Sequence, residues 1–137
     1  MTQQQTLIAI ATRFRRAFEH QPGSGHYNFA DFPNGLCKIA SGVLGHYLIE
    51  QGFTKVALGW FHYSHFAVIC GDWYIDITAD QFNHSIPKVV VSKSFDYLPP
   101  AVRSRSHSTP SVAEIFSLEH PPNASCYATM CAAAVQD

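Results

Sequence analysis

The sequence predicts an α+β fold in which N-terminal helices pack on a small antiparallel sheet. Apolar residues recur at steps of three and four over residues 7–18 and 37–51, a spacing typical of helices. From residue 55 onward the pattern changes to short runs of branched and aromatic residues broken by Gly or Asp, which indicates strands. Because the helices come first and the strands second, an α+β layout is favoured.

Length and composition set the class of protein. A chain of 137 residues corresponds to one domain. With 47% hydrophobic and 14% charged residues, the composition excludes a disordered chain. The net charge of −1 leaves no overall basic field for nucleic acid. We expect a single domain, 1–137, with its core at 32–92, a surface loop at 98–110 and a C-terminal extension at 111–137.

The two predicted helices have recognisable ends. The first presents an apolar stripe and ends before Pro22, and its members are Leu7, Ile8, Ala11, Phe14, Arg15 and Phe18. The second ends where Gly52 offers a left-handed cap. Gly42 and Gly45 inside it each cost about 1 kcal/mol relative to Ala, so we expect another backbone element to approach closely there.

Four strands and a C-terminal helical region follow. The strands are predicted at 56–62, 64–70, 73–78 and 88–92. The loop at 98–110 is rich in Pro, Ser and Arg. Ser111 with Glu114 three residues later predicts a capping box for a helix at 111–119, and the tail from Ala124 is compatible with a helix.

The N-terminus does not resemble a secretory signal, because three Gln residues precede a short apolar run and arginines follow it. No run approaches the roughly 20 apolar residues of a membrane span. The four Cys residues belong to a chain with a full-sized core, so we expect reduced thiols. The sequence predicts a cytoplasmic protein without a membrane partner. Export by a system that cleaves no signal stays open, as does the oligomeric state.

Cys37 is the first candidate for chemistry. The loop that ends in Asn34-Gly35-Leu36 delivers this thiol to the first turn of a helix. Free N–H groups and the helix dipole stabilise a thiolate there, which suits a nucleophile. The alternative is that Cys37 is a small hydrophobic residue at the start of a core helix.

A hairpin supplies a candidate base. If Gly71-Asp72 is a two-residue turn, His65 and Asp76 share one face of neighbouring strands, where the carboxylate can orient the imidazole. The other face, which carries Phe66, Val68, Cys70, Trp73, Ile75 and Ile77, is predicted to be core. The alternative for the first face is a solvated polar surface. Asp80 is a rival for the carboxylate, and it is equally suited to capping the turn after the strand.

Three segments resemble a known family: Phe32-Pro33-Asn34-Gly35-Leu36-Cys37 with Ser41, Ser64-His65-Phe66, and Ile75-Asp76-Ile77-Thr78-Ala79-Asp80-Gln81-Phe82. They are similar to the papain-like, transglutaminase-like cysteine hydrolases of bacteria, such as lasso-peptide leader-processing proteases and glutamine-deamidase toxins. The resemblance spans about residues 32–82 and implies a papain-like core. It implies Cys37 as nucleophile, His65 as general base and acid, and Asp76 as the orienting carboxylate.

The implied activity is attack of a thiolate on an amide, with a thioester intermediate. Deamidation of Gln, peptide cleavage and acyl transfer share this first half, so all three stay open. We expect a protein or peptide substrate and no cofactor. The second oxyanion donor is expected from the 26–35 loop, with Asn28 or Asn34 as candidates. The residues predicted to contact substrate are Asn34, Gly35, Trp60, Tyr63, Asp80 and Gln81.

Two rival classes are kept. A zinc site is disfavoured because the His and Cys residues lack the usual ligand spacings, so no metal ligand is assigned. A non-catalytic binding module on the same fold is the other alternative. Five basic residues could form a patch for a partner: Arg13, Arg15, Arg16, Arg103 and Arg105. The preferred interpretation is that they are solvated surface residues.

Overall fold

The computed structural model describes residues 1–135, with Tyr63 described by its main chain alone. The described residues form four α-helices and one four-stranded antiparallel sheet, which confirms the α+β prediction. No helix among them is long and apolar enough to cross a bilayer. The elements are α1 (Gln3–His20), α2 (Cys37–Glu50), β1 (Val56–Phe61), β2 (His65–Cys70), β3 (Trp73–Asp76), β4 (Val90–Ser92), α3 (Val112–Ile115) and α4 (Pro121–Val135).

The sheet has the order β1-β2-β3-β4, and each strand is antiparallel to the next. Cys70 pairs with Trp73 across the β2–β3 turn, so the register expected from a two-residue turn is confirmed. Gly71 has φ +60, a conformation that the first position of such a turn requires and that glycine adopts without strain. This register puts His65 and Asp76 on the same face.

One face of the sheet belongs to the main core, as predicted. Phe66, Val68 and Ile75 are buried there against the helices. Helix α1 contributes Leu7, Ile10, Phe14 and Phe18, but Ile8 is exposed, so its place in the predicted stripe is wrong. At 100° per residue, Ile8 lies too far around the helix from Phe14 to face the same core.

The opposite face is also covered, so it is not a solvated surface. Phe61 and Ala67 pack against Leu98 and Val102, which are fully or almost fully buried. The loop predicted at 98–110 is therefore partly core, because its apolar residues fold back onto the sheet. This second apolar cluster shields His65 and Asp76 from water.

The glycines of α2 make room for the region around α3. A Cβ on Gly42 would lie 2.4 Å from Cβ of Phe116, and a Cβ on Gly45 would lie 2.7 Å from Cγ2 of Val112. Another element approaches these two glycines closely, as expected. The approaching atoms belong to the side chains of Phe116 and Val112 and not to a backbone. The capping box at Ser111 is present as predicted, although α3 ends at Ile115 rather than at 119.

Residues 104–110 run beside the outer edge of β1, the edge that does not pair with β2. The N–H of His62 donates to the carbonyl of Ser104 at 2.9 Å, and the N–H of Ser106 donates to that of Trp60 at 2.8 Å. Between them Arg105 forms an antiparallel bridge with Phe61. Since directly paired residues point to the same side of a sheet, Arg105 lies on the face that carries His65.

Candidate active site

Cys37 is the first residue of α2, as the sequence predicts, and its side chain is half-buried. One turn later, the buried Ser41 hydroxyl donates to the carbonyl of Phe66 at 3.0 Å, which ties this end of the helix to β2. No side chain caps the helix at Leu36, so the first N–H groups of α2 have no side-chain acceptor from the cap residue. The thiol therefore lies where a helix terminus favours negative charge.

Ser64 joins the thiol to the strand that carries His65. The Cys37 thiol donates to the carbonyl of Ser64, with 3.4 Å between sulfur and oxygen. Ser64 has φ +62, a left-handed conformation that costs a non-glycine residue on the order of 1 kcal/mol. This strained residue immediately precedes His65, so the hydrogen bond fixes the turn that positions the imidazole.

His65 and Asp76 form a buried pair. Nε2 of His65 lies 2.7 Å from Oδ2 of Asp76, and both residues are only 1% exposed. The histidine opens β2 and the aspartate ends β3, so the two strands hold the pair on the diagonal that the hairpin register predicts. A carboxylate in this position fixes the orientation of the ring.

Asp76 has further hydrogen-bond donors. The Tyr97 hydroxyl donates to Oδ2 at 2.9 Å, and the N–H of Thr78 donates to Oδ1 at 3.0 Å. Burial opposes ionisation of Asp76, but attraction to His65 and these hydrogen bonds hold its pKa below the ordinary value. Asp76 is therefore an anion in the folded protein at neutral pH.

The same pair determines the charge of His65. Burial by itself lowers the pKa of His65, but the charge and hydrogen bond of Asp76, with smaller contributions from Cys37, raise it from 6.5 to about 9. Nδ1, the ring nitrogen that does not face Asp76, is buried and makes no hydrogen bond of standard geometry. Cys37 contributes to this rise in pKa as a neighbour of the ring. His65 is an imidazolium at neutral pH.

The other cysteines lie in different surroundings. All four are free thiols, and Cys70 and Cys126 are buried in the main core. Burial raises the pKa of Cys70 and of Cys131, and raises that of Cys126 to about 11. These three thiols are therefore suppressed as nucleophiles at neutral pH.

Gln81 contacts the loop before the thiol. Its side-chain carbonyl oxygen accepts from the N–H of Gly35 at 3.2 Å, which leaves the amide NH₂ for another acceptor. Gly35 has φ +71, so glycine suits the turn into α2. Asn34 is exposed beside it, whereas the side-chain oxygen of Asn28 accepts from the N–H of Ala30 within its own loop.

Asp80 has a partner other than His65. Its carboxylate makes a two-point pair with the buried guanidinium of Arg15, with N–O distances of 2.6 and 2.9 Å. Asp76 is thus the carboxylate on His65, and Asp80 connects α1 to the segment after β3. Because Arg15 is buried in this pair, it does not belong to the suggested basic patch. That Asp80 contacts substrate stays a prediction.

Two aromatic residues complete the predicted set. Trp60 is 40% exposed and stacks on Phe66, with 5.9 Å between ring centroids. It lines a pocket together with Ser64, which places it near the thiol. The side chain of Tyr63 lies outside the described part of the structure.

Tyr97 is a site residue that the sequence did not reveal. Its hydroxyl bonds to Asp76 across 21 positions of the chain, from a Pro-rich segment with no regular period. The one available signal was an aromatic residue with a polar tip beside a predicted surface loop, which is a common and weak pattern.

In residues 1–135, with the Tyr63 side chain aside, no group of three or more His, Cys, Asp or Glu side chains is placed to hold a metal ion. Comparisons with protein-family models, curated proteins and solved structures gave no match.

Proposed function

We propose that the protein is a thiol-dependent amide hydrolase or acyltransferase with a papain-like, transglutaminase-like core. The observation that carries the proposal is a thiol at the start of α2 beside a buried, charged histidine–aspartate pair. Such a pair is expensive to bury, and strongly perturbed titratable groups of this kind concentrate at functional sites.

The proposed reaction starts from an ion pair in which Cys37 is a thiolate, its proton released to solvent, and His65 is an imidazolium. The thiolate attacks the carbonyl carbon of a side-chain or peptide amide. A C–S bond forms and the carbonyl π-electrons move to oxygen. The carbon–nitrogen bond then breaks as the imidazolium of His65 protonates the leaving ammonia or amine. Water or a second amine then attacks the thioester carbonyl and gives a proton to the now neutral His65. The C–S bond breaks, and the thiolate–imidazolium pair is restored.

Asp76 holds the imidazole by its Nε2–H and leaves Nδ1 for the thiol. Tyr97 and Thr78 bond to the carboxylate and so act as positioning residues. We assign the oxyanion to the N–H of Cys37 and the free amide NH₂ of Gln81, whose oxygen is held by Gly35. Gln81 replaces Asn28 in this role, because the oxygen of Asn28 is engaged in its own loop.

Selective alkylation tests the nucleophile. Iodoacetamide at about pH 6, where an ordinary thiol is mostly protonated, should label Cys37 and leave Cys70, Cys126 and Cys131 unmodified. His65→Gln should slow this labelling on the order of 10²-fold or more, because the imidazolium that stabilises the thiolate is lost. His84→Gln removes an exposed histidine and should label at the wild-type rate.

Cys37→Ala should abolish amide hydrolysis, read as ammonia or amine release from Gln-containing peptides, and should leave the fold intact. Turnover that persists in this variant would end the proposal. Equal, slow labelling of all four thiols in the wild-type protein would favour a non-catalytic binding module on this scaffold.

A further inference from the structure

A pocket of about 330 Å³ lies at the end of β1. Its walls include Trp60, Ser64, Ser104 and Arg105. The carbonyl of Ser64 is the group that accepts the hydrogen bond of the Cys37 thiol. The pocket therefore shares Ser64 with the hydrogen bond of the thiol.

The guanidinium of Arg105 has no counter-ion among the described residues. It donates to the hydroxyl of Tyr74, and Nη2 donates to that of Thr109 at 3.1 Å, but no carboxylate pairs with it. Its Nε is buried and has no hydrogen-bond partner. A partly buried guanidinium normally has an anionic partner, because an unpaired charge away from water is costly.

Arg105 is held in place before any ligand arrives. Main-chain hydrogen bonds of Ser104 and Ser106 to β1 flank it on both sides. Its guanidinium also lies over the ring of Tyr74, with 5.5 Å from Cζ to the ring centroid. Little conformational freedom is left to lose on binding, which favours recognition by this side chain.

We propose that the guanidinium of Arg105, a residue that borders this pocket, binds a carboxylate of the substrate, so that the enzyme acts on peptides with an acidic side chain or a free C-terminus close to the attacked amide. A planar guanidinium matches a carboxylate through two parallel N–H bonds. The reaction named here rests on the proposed function, whereas carboxylate binding does not.

Matched chloroacetyl peptides test the pocket, because Cys37 displaces chloride and forms a C–S bond at a rate set by binding. Chloroacetyl-Glu-amide, chloroacetyl-Gln-amide and chloroacetyl-Gln with a free C-terminus are compared, each with zero, one or two Gly spacers. At the best spacing, an acidic probe should modify Cys37 about tenfold faster than the neutral one, as expected for a charge-assisted hydrogen bond. The two acidic probes separate side-chain from C-terminal recognition.

The preference should fall to near unity in Arg105→Gln and partly survive in Arg105→Lys, which keeps the charge but not the fork. Arg16→Gln removes an exposed charge from α1 and should keep the full preference. Thermal denaturation verifies that each variant is folded. If Arg105→Gln does not fold, the reduced preference of Arg105→Lys provides the test. Equal rates of Cys37 modification by acidic and neutral probes at every spacing would overturn the proposal that Arg105 binds a substrate carboxylate.

Failure of the two proposals can be told apart with acetyl-Gly-Glu-amide, which binds without reacting. Titration calorimetry on Cys37→Ala should show binding that Arg105→Gln removes. Binding without alkylation of Cys37 in the wild-type protein would overturn the catalytic proposal and leave the pocket intact. Alkylation of Cys37 at equal rates by acidic and neutral probes, with no binding of acetyl-Gly-Glu-amide, would overturn carboxylate recognition by Arg105 and leave the catalytic proposal intact.

Discussion

Replacing Asp76 with Asn should remove much of the pH dependence of stability between about pH 6.5 and 8.5. In the fold, Asp76 is the main reason that the pKa of His65 rises against the effect of burial from 6.5 to about 9. The folded protein therefore keeps a proton that the unfolded chain loses. This contribution to stability is fully present below pH 6.5 and is lost as the pH rises toward 9.

The size of the effect follows from the two pKa values of His65, 6.5 and about 9. Their difference corresponds to roughly 3 kcal/mol of unfolding free energy at low pH, of which about 2 kcal/mol is lost by about pH 8.5. Above this interval the buried thiols contribute too, because burial raises the pKa of Cys70, Cys126 and Cys131 and the unfolded chain ionises first. Measurements below that pH isolate His65.

Urea denaturation at several pH values across this interval provides the assay. In Asp76→Asn, burial is the main remaining influence and it lowers the pKa of His65, so the decline should disappear. His65→Gln should flatten the profile as well, which keeps the test valid if one variant folds poorly. His84→Gln, at an exposed histidine, should keep the wild-type slope. Parallel profiles for the wild-type protein and Asp76→Asn would refute the assignment of charge to His65.

Three further changes probe the surroundings of the site. Tyr97→Phe removes a hydrogen bond to the charged Asp76 and should lower the unfolding free energy by about 2 kcal/mol in urea denaturation; an unchanged midpoint would contradict this. Arg15→Met leaves the part-buried carboxylate of Asp80 without its cation and should cost about 3 kcal/mol in thermal denaturation. Replacing Asp80 with Asn in the same protein should recover part of that loss. Gly45→Ala should destabilise by about 1–3 kcal/mol despite its higher helix propensity, because the new methyl group overlaps Val112. In a Val112→Ala background the same change should cost less, and an equal cost in both backgrounds would show that the overlap is not the cause.

Local rules account for the parts of the site that the sequence predicts. The turn at Gly71-Asp72 sets the pairing of β2 with β3, and with it the face shared by His65 and Asp76. Cys37 is the first residue of α2 because the turn at Gly35 has a left-handed conformation that a helix cannot include. The apolar helix pattern begins directly after this turn. Each of these features depends on residues close together in the chain.

Other features depend on contacts between distant segments with no periodic pattern. Tyr97 reaches Asp76, and Arg15 reaches Asp80 across 65 positions. Burial of Leu98 follows from a Pro-rich segment folding back onto the sheet, where composition alone predicts solvent exposure. Tertiary packing decided these positions, and neither propensity nor spacing encodes it.

The outer edge of β1 is occupied by the protein's own chain, and one side chain of α1 bonds to β4. Residues 104–110 bond along β1 and include the contact between the Leu58 N–H and the Pro110 carbonyl at 3.0 Å, and the amide of Gln4 donates to Val91 in β4 at 3.0 Å. An uncovered strand edge is a template for pairing with another molecule. The segment that carries Arg105 therefore also protects against self-association, and cleavage or detachment of residues 104–110 would turn β1 into an aggregation-prone edge.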